Sequence, residues 1–375
     1  MMYRLLLPVF LLMLLSHAVW AQTKTVDPFI MPSARFNALG GGHSSMADDF
    51  YSIFLNPAAF ADVKDEFSAA EITLSTYGPV LEIVDLFRNS SGSLENLDLT
   101  KLVGTGGFAA GFDLGGPLSL GWVGRGLGLG IFNRVQAHAA ISGVTLRPLV
   151  SAELLFVGGY GFRIFDIKGN ALDAGFLGKG FFRGIMDMRT TIFAIDSLDP
   201  FDSPFDTTLG FGLDLGIRYN FDGIVSFAFV CYDVYSPVLF TSYGTFSDFR
   251  DGSSASSSYA TVRRRLDIGL SYNVRSAFLD RYISRLTIMT DYHDLLDLLA
   301  LIPRNPVLNI GFGVELVLLN ALTIRLGIGD ALPAFGFGLN LTFMTLDFAI
   351  FGRELGLDPG KHSVYAMSIG LLFRY

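Results

Sequence analysis

Strict alternation of apolar and polar residues is the feature that most limits how this chain can fold. The apolar face of 209–221 comprises Leu209, Phe211, Leu213, Leu215, Ile217, Tyr219 and Phe221. The opposite face carries glycine, charged and amide residues. A register shift of one residue would move every apolar side chain to the wrong face. Charged residues share the glycine-bearing face, as expected for a strand with lipid on one side and a polar lumen on the other.

The same alternation recurs over 265–274, 308–318 and 322–329. A soluble β-sandwich also shows alternation, so this pattern alone leaves two fold classes open. Two further observations favour a membrane barrel: the charges lie on the glycine-bearing face, and the strands run to the ~9–11 residues that a tilted membrane strand needs. The predicted fold class is therefore all-β, a transmembrane antiparallel β-barrel.

The pattern predicts about fourteen strands, an even number as in bacterial outer-membrane barrels. Links after even-numbered strands are mostly short, including a predicted turn at 115–117, and links after odd-numbered strands are mostly long. Short periplasmic turns and long extracellular loops produce this asymmetry, which places the barrel in the outer membrane of a diderm bacterium. The predicted strands are 67–76, 105–113, 118–136, 150–165, 171–182, 209–220, 223–235, 259–274, 283–293, 307–318, 321–328, 334–342, 344–351 and 365–375.

Composition agrees with this fold class. Hydrophobic residues make up 51% of the chain, but after the N-terminal leader no apolar run is long enough for a transmembrane helix. The chain has 42 glycines and 35 phenylalanines, which suit crowded lumen positions and a lipid-facing surface. The formal net charge is −8 and the one basic triplet, 263–265, lies in a strand pattern, so nucleic acid is not an expected partner. Cys231 is the only cysteine and cannot form an internal disulfide.

Both ends of the chain carry export signals. Residues 1–21 are predicted to be a signal peptide, with Arg4 as the positive n-region and a cleavage site after Ala21. The last predicted strand has six alternating apolar or aromatic positions and ends on Tyr375. Such a strand resembles the signal recognised by the barrel-assembly machinery, which we therefore expect as a partner together with outer-membrane lipid. We predict an N-terminal arm and plug over 22–66 and the barrel over 67–375.

The stretch 32–59 is too glycine-rich and irregular to be a strand of this series. The triplet 40–42 (Gly40, Gly41, Gly42) permits backbone conformations closed to other residues. Pro57 blocks continuation of a helix or ladder after Asn56. We interpret the stretch as a plug (hatch) inside the barrel, the alternative being an ordinary loop with a hydrophobic anchor. The remaining residues of the plug motif are Asp48, Asp49 and Ala58.

This stretch resembles the N-terminal motif of the FadL-like family of outer-membrane hydrophobic-compound transporters. The family pattern runs from a Gly-rich turn through Ala-Asp-Asp and a few apolar residues to Asn-Pro-Ala and the first strand. Here Ala34-Arg35 leads to the glycines at 40–42, then to 47–49 and 56–58, and the first strand begins at Phe67. The long loops show nothing that can be aligned with the family.

The resemblance implies passive uptake of hydrophobic small molecules, long-chain fatty acids first, without a cofactor. A ligand would be captured at an extracellular groove, pass to a pocket in the lumen and leave when the plug moves. The family also implies a lateral exit at a kink in the third strand. Gly124, Gly126 and Gly128 in the predicted third strand are candidates for that kink, because glycine inside a strand often marks a bend. The alternative is that they only relieve crowding in the lumen.

Candidate residues for the ligand path lie in the predicted plug. The alternative for these side chains is that they only pack against the barrel wall. Arg35, with Arg218 and Arg325, is expected either to bind a ligand carboxylate or to pair with lumen carboxylates such as Asp214 and Glu315. The aromatic and aliphatic candidates for the path are Phe36, Phe50, Tyr51, Phe54 and Leu55.

Other chemistry is weakly indicated. The pairs 43–44 and 362–363 (His-Ser) are compatible with a membrane lipid hydrolase but lack an evident orienting group. The stretch 291–294 offers possible metal ligands at a loop mouth, and the acidic loop 196–206 offers possible Ca²⁺ ligands without EF-hand spacing. We predict no enzyme activity and no metal site. The alternative to transport is a structural, assembly or secretion-partner barrel.

Overall fold

The computed structural model describes residues 24–46, 49–78, 108–191, 193–194, 199–253, 255–275 and 283–374. The predicted signal peptide, Asp48, Asp196 and the terminal Tyr375 lie outside these ranges. The same holds for most of the predicted first long loop.

The described strands form one sheet, which is antiparallel around the barrel and closes on itself. Its last strand pairs with β2 along nine positions, from Ala366 opposite Tyr77 to Arg374 opposite Ser68. The strands are β1 (Lys24–Val26), β2 (Glu66–Tyr77), β3 (Phe108–Gly115), β4 (Leu120–Gly124), β5 (Leu127–Ser142), β6 (Thr145–Ile167), β7 (Asn170–Asp187), β8 (Thr190–Thr191), β9 (Phe205–Phe221), β10 (Val225–Tyr235), β11 (Pro237–Tyr243), β12 (Ala255–Val262), β13 (Arg265–Asn273), β14 (Ile283–Tyr292), β15 (Ile310–Leu318), β16 (Leu322–Gly329), β17 (Leu332–Asn340), β18 (Met344–Glu354) and β19 (Ser363–Arg374).

These segments make a barrel of fourteen strands, as the alternation predicts. Three barrel strands are interrupted and consist of two segments each: β3 with β4, β10 with β11, and β12 with β13. The short β1 pairs in parallel with β12 and is not part of the barrel circuit. The two-residue β8 pairs only with the outer end of β6.

The two ends of the barrel differ in their connections. At one end β6 joins β7 through Lys168-Gly169 and β9 joins β10 through 222–224. The barrel also begins and finishes at this end, with Glu66 and Arg374. Short turns and both chain ends identify the periplasmic side. The opposite, extracellular end carries the longer links, although Gly143-Val144 and Asp330-Ala331 are two-residue turns there.

Strand length divides the barrel into a tall side and a short side. On the tall side β5, β6, β7 and β9 have 16, 23, 18 and 17 residues. At a rise of ~3.3 Å per residue, β6 alone extends roughly 75 Å. On the short side β15, β16 and β17 have 9, 8 and 9 residues, close to the ~9–11 that span a bilayer. The tall side therefore continues beyond the membrane at the extracellular end.

The prediction of a single strand over 118–136 is wrong. A tight turn at Arg125-Gly126, both with positive φ (52° and 82°), separates β4 from β5. Gly124 therefore ends one strand and Gly128 lies in the next, so the three predicted kink glycines belong to a hairpin. The predicted turn at 115–117 is also wrong, because this stretch interrupts the second barrel strand instead. Because glycines occupy both odd and even positions here, the sequence pattern does not show that the outward-facing positions change across the turn.

Outward-facing apolar side chains form a belt around the barrel. Alternate residues of β16 and β19 illustrate it: Leu326 and Ile369 are 53% and 50% exposed, whereas inward Arg325 and Ser368 are buried. Exposure of so many large apolar side chains would be unfavourable in water but is expected against lipid. No helix in the described ranges has both the length and the apolar character needed to cross a membrane.

The N-terminal segment, residues 24–65, lies across the lumen. It contains two short helices, α1 (Ala34–Ala38) and α2 (Ser52–Leu55), and a 3₁₀ turn at Pro57–Ala61. Helix α1 packs against β16 to β19, and the 3₁₀ turn packs against β4 to β7 and β9. A third helix, α3 (Phe246–Asp251), lies in an extracellular link and begins with a capping box at Thr245.

Candidate ligand-binding site in the barrel lumen

Helix α1 positions Arg35 against the barrel wall. Ser33 caps the helix by accepting a hydrogen bond from the backbone N–H of Phe36 (3.4 Å). Arg35 then donates from Nε and Nη2 to the two carboxylate oxygens of Glu315 on β15, at 3.0 and 2.9 Å. This two-contact geometry is the strongest form of an arginine–carboxylate pair. Both side chains are buried, so the pair fixes α1 to one point of the wall.

Four further charged side chains complete this cluster. Glu315 also accepts hydrogen bonds from Arg325 (2.8 Å) and Arg285 (2.7 Å). Arg325 donates to Asp347 (2.5 Å), and Arg35 pairs with Asp49 of the N-terminal segment. The alternative that Arg35 and Arg325 pair with lumen carboxylates is therefore confirmed, because both donate to Glu315.

The glycine triplet brings the backbone of the segment against the wall. Gly40 has φ +77°, and a Cβ there would lie 2.3 Å from the carbonyl oxygen of Ile328 on β16. Gly41 has φ +140° and faces the His293 ring, whose Nε2 would be 3.0 Å from an added Cβ. Only glycine combines these backbone angles with such close approach. Gly42 packs instead on Leu55 within the segment.

His43 and Ser44 bind one wall carboxylate. His43 Nδ1 lies 2.8 Å from Asp291 Oδ1, and Ser44 donates from its backbone N (2.8 Å) and Oγ (2.5 Å) to Asp291 Oδ2. The other ring nitrogen of His43 faces the carbonyl oxygen of Leu39 (3.1 Å). Ser44 Oγ therefore contacts the carboxylate and not the imidazole, which is not the geometry of an activated serine. The arrangement serves to dock the segment.

The other His-Ser pair, 362–363, also binds a carboxylate. The backbone N of His362 and the hydroxyl of Ser363 both donate to the carboxylate of Glu354, each at 2.7 Å.

The stretch 291–294, predicted as a possible metal site, is occupied by internal contacts, since His293 Nδ1 lies 3.0 Å from Asp267. Within the described ranges no group of three or more His, Cys, Asp or Glu side chains is arranged to hold a metal ion. Of the acidic loop, Asp199 caps the turn at 200–202.

Asn56-Pro57 fits a row of glycines in the wall. Gly161, Gly175 and Gly216 lie directly opposite one another on β6, β7 and β9. A Cβ at Gly161 or Gly175 would lie 2.5 or 2.3 Å from the carbonyl oxygen of Pro57, and one at Gly216 would lie 2.0 Å from Asn56 Oδ1. We call these three residues the glycine row. Its lack of side chains lets the backbone of the segment approach the sheet.

Asn56 also organises the segment itself. Its Oδ1 accepts a hydrogen bond from the backbone N of Ala58 (3.0 Å), which caps the 3₁₀ turn. Its Nδ2 donates to the carbonyl oxygen of Ser44 (3.0 Å) and so ties the two halves of the segment together. A buried asparagine with both amide atoms bonded is fully used. The predicted turn after Asn56 is therefore present.

The predicted kink glycines face this part of the segment. A Cβ at Gly128 would lie 2.7 Å from the ring of Phe60, and one at Gly124 would meet the Asp65 side chain at 2.1 Å. Gly126 closes the turn between β4 and β5. These contacts agree with the alternative that the glycines relieve crowding around the segment.

The segment ends in an ion pair with the opposite wall. Asp62 accepts hydrogen bonds from Arg163 (2.9 Å) and Arg218 (2.6 Å) on β6 and β9. Burial raises the pKa of Asp62, but the charge of Arg218 and the hydrogen bonds from both arginines outweigh it and hold the pKa below its ordinary value. Arg218 thus pairs with Asp62, whereas Asp214 binds Lys179.

An outer cavity of about 450 Å³ lies on the extracellular side of the segment. This volume is in the range of small-molecule sites. Three predicted path residues, Phe36, Phe54 and Leu55, form part of its floor. The principal apolar wall residues are Leu155, Val157, Leu177, Leu308, Ile310 and Phe351.

The outer cavity also has a polar side. Lys179 lies between Asp214 and Asp233, at 2.7 and 2.8 Å. Nearby, the guanidinium of Arg265 stacks over the ring of Tyr232, with 4.3 Å between its central carbon and the ring centre. Tyr232 donates its hydroxyl to the carbonyl oxygen of Leu55 (2.5 Å). Lys179 and Arg265 are both paired with carboxylates, so the cavity presents an apolar floor beside a polar wall whose cations at these two positions are compensated.

An inner cavity of about 370 Å³ lies on the periplasmic side of α1. Arg35 and Tyr51 line it, together with the cluster around Glu315. Burial, with the nearby Glu71 carboxylate, raises the pKa of Tyr51 well above its ordinary value. This cavity is strongly polar and suits water better than a hydrocarbon chain.

A third cavity, the outer groove, opens near an irregularity in the wall. Between the pairs Cys231–Leu215 and Tyr235–Leu213, three residues of β10 face a single residue of β9. The groove has a volume of about 400 Å³. Asp233 within this irregularity lines both the groove and the outer cavity, so the two spaces meet at one side chain. The apolar lining of the groove is Val234, Tyr235, Pro237, Val262, Leu296, Leu299, Ala300 and Ile302.

Two predicted path residues have other surroundings. Phe50 is fully buried, with its ring 5.9 Å from Phe132 of β5 and against Gly121. It supports α2 and lines none of the three cavities described above. Tyr51 packs edge-to-face on Phe36 at 5.2 Å. Sequence patterns do not reveal the wall residues Leu155, Leu177 and Lys179, because which inward positions meet the segment depends on strand register over the whole barrel.

The comparisons with known proteins give only distant likenesses. No protein-family model and no curated protein matches the chain. Similar solved structures include the toluene transporter TodX of Pseudomonas putida, with 12% identity, a TM-score of 0.45 and coverage of 94% of this chain and 99% of that chain. The toluene transporter TbuX of Ralstonia pickettii has 13% identity, a TM-score of 0.46 and coverage of 90% and 99%. A FadL homologue of Pseudomonas aeruginosa has 12% identity, a TM-score of 0.44 and coverage of 94% and 98%.

Two of these neighbours are toluene transporters and the third is a FadL homologue. Their identities and TM-scores are too low to support an argument about ligand. The closed barrel and its lipid-facing apolar belt are the features of a protein that spans the outer membrane. The chain is an integral outer-membrane β-barrel. Its extracellular end carries the outer groove and outer cavity, and its periplasmic end carries the inner cavity.

Proposed function

We propose that this protein is a passive channel for hydrophobic small molecules, with long-chain fatty acids as the first candidates, and that the N-terminal segment is its plug. The observation that carries the proposal is the outer cavity, whose floor is Phe36, Phe54 and Leu55 of the segment. A ligand bound there touches both the wall and the element that obstructs the lumen. Each CH₂ removed from water contributes ~0.8 kcal/mol, so the apolar floor and apolar wall residues retain an acyl chain until the floor moves.

The anchoring contacts support a movable plug. The segment is fixed to the wall by polar contacts at Glu315, Asp291 and Asp62, by backbone contact with the glycine row, and by apolar packing of Phe50 and Phe60 in a buried cluster with wall residues such as Phe132. Ionic contacts exchange readily with water once it enters, because hydration replaces them at small net cost. The outer groove supports capture, since it meets the outer cavity at Asp233.

Ligand binding by the purified protein tests the proposal. Detergent-extracted protein is incubated with radiolabelled oleate or toluene, and Phe54→Ala is compared with Phe193→Ala, a control in an extracellular link that is 75% exposed. We expect saturable binding that Phe54→Ala weakens roughly tenfold, because the alanine buries less apolar surface against the ligand. Phe193→Ala should leave binding unchanged. A variant lacking 22–58 is expected to have no site. A folded, heat-modifiable barrel that binds neither compound would favour the structural or assembly role.

A further inference from the structure

Two extracellular loops on the short side of the barrel expose large apolar side chains. Leu301 is fully exposed, and Leu299 and Ile302 are 70% and 74% exposed. Isolated exposed leucines are ordinary, but a contiguous group of this size is rare on a water-facing surface. The group, here called the loop patch, comprises Leu298, Leu299, Leu301, Ile302, Val307, Leu355 and Leu357.

Hydrogen bonds join the two loops and hold their side chains outward. The backbone N of Asn305 donates to the carbonyl oxygen of Leu357 (2.8 Å), and Arg304 donates to the carbonyl oxygen of Glu354 (2.7 Å). The buried carboxylate of Asp297 accepts from the backbone N of Arg304 (2.9 Å). These bonds satisfy several backbone groups of the loops internally while the apolar side chains remain exposed. Such satisfaction is a requirement for polypeptide placed in or against lipid.

The loop patch sits at the height of the outer leaflet. It flanks β15 to β18, which have 9, 8, 9 and 11 residues and so little length beyond a membrane span. Outward-facing Val307 is followed by Ile310 and Phe312, which are 44% and 39% exposed in the lipid-facing belt. The patch therefore continues the membrane interface already formed by the barrel.

We propose that the loop patch is a membrane-contact surface whose side chains insert among the acyl chains of the outer leaflet. The tall side provides the contrast, because Val144, at the tip of the hairpin between β5 and β6, is 53% exposed but stands far above the short strands. The membrane contact stands whether or not the protein moves ligand. Taken together with the proposed function, the membrane contact means that the outer groove, bordered by Leu299 and Ile302, opens toward lipid. A hydrophobic compound dissolved in the leaflet then reaches the groove without crossing water.

Depth-dependent quenching tests the membrane contact. In a Cys231→Ala background, single cysteines at Leu301, Val144 and Ile369 are labelled with an environment-sensitive fluorophore. The proteins are reconstituted into phosphatidylcholine vesicles that contain lipid brominated near the glycerol end or near the methyl end of the acyl chain. Ile369→Cys, in the belt, reports full lipid contact, and Val144→Cys reports an extracellular apolar residue without it. Migration of each variant before and after heating verifies that the barrel is folded.

We expect Leu301→Cys to be quenched within about twofold of Ile369→Cys, more strongly by bromine near the glycerol end, and to be protected from aqueous iodide. Val144→Cys should be quenched by aqueous iodide and not by brominated lipid. Quenching of Leu301→Cys by iodide and not by bromine would overturn the proposal. Protection from both quenchers would also overturn it, because it would indicate a protein partner or a second copy on the patch. Should Leu301→Cys fail to fold, Ile302→Cys provides the same measurement.

Discussion

Arg35 and Glu315, 280 positions apart in the sequence, form a buried two-contact ion pair between the N-terminal segment and β15. Docking of α1 at this point therefore requires β15 to be in place in the wall. The pair joins the N-terminal segment to the wall and is not part of the strand ladder, so its removal should affect lumen access more than barrel stability.

Replacing Arg35 by Gln should release α1 from the wall. Breaking one partner of a buried pair typically costs ~3–5 kcal/mol, although Arg325 and Arg285 continue to compensate Glu315. We expect larger and more frequent single-channel openings in planar bilayers, with little change in the temperature at which the barrel loses its compact gel migration. Arg125→Gln is the control, because its pair with Asp65 is largely exposed. Equal conductance for the two variants would show that Arg35 does not hold the segment.

Adding a methyl group to the glycine row should displace Asn56-Pro57. Gly175→Ala would place a Cβ 2.3 Å from the carbonyl oxygen of Pro57, and overpacking of this kind costs ~1–3 kcal/mol. Gly180→Ala on the same strand is the matched control, because nothing lies within 4 Å of its Cβ. Protease sensitivity of the segment in the folded barrel is the measurement. The interpretation fails if both alanine variants are equally resistant.

Docking of the far end of the segment should weaken in acid. The pKa of Asp62 is held below its ordinary value, despite burial, by Arg218 and Arg163. A depressed folded-state pKa contributes stability that is complete above the unfolded value, near ~3.9, and is lost as pH falls through the folded value. We expect lumen conductance to rise below about pH 4 in the wild type. Asp62→Asn should have raised conductance at neutral pH and a flatter profile, and an unchanged acid response in this variant would assign it to other groups.

Replacing Asp291 by Ala should weaken docking of the segment more than replacing Ser44 by Ala. Asp291→Ala deprives the His43 ring and both donors of Ser44 of their acceptor, and unsatisfied buried donors cost ~1–3 kcal/mol each. Ser44→Ala removes one hydroxyl bond and retains the backbone bond, which corresponds to ~0.5–1.5 kcal/mol. Urea dependence of protease cleavage within the segment should rank wild type, Ser44→Ala and Asp291→Ala in that order of resistance. A lipid-hydrolase activity abolished by Ser44→Ala would contradict the docking role.

Alternation, combined with the charges on the glycine-bearing face and with the strand and link lengths, is sufficient to predict the closed barrel and its strand number, because lipid and lumen impose opposite requirements on successive residues. It fails where glycine removes the contrast between faces. At 118–136 the outward positions change from even (Leu120, Trp122) to odd (Leu127, Leu129) across Arg125-Gly126. Glycines on both sides of the turn hide that change, so the pattern predicts one long strand in place of a hairpin.

The site is predictable only in part. The expectation that Arg35 and Arg325 pair with lumen carboxylates is confirmed, since both bind Glu315. The partner of Arg218 is Asp62, which no local pattern indicates, because the pair joins positions 156 apart. Wall residues of the outer cavity escape prediction for the same reason: each lies on an ordinary alternating strand, and register across neighbouring strands decides which ones meet the segment.

The glycine row and the outer cavity share strands but not residues. Gly161 and Gly175 receive the backbone of the segment, whereas Leu155, Val157 and Leu177 on the same two strands line the cavity. Substitutions at these cavity residues therefore leave the glycine row itself unchanged. A barrel built in this way can change the side chains of its cavity while the surface that receives the backbone of the N-terminal segment stays the same.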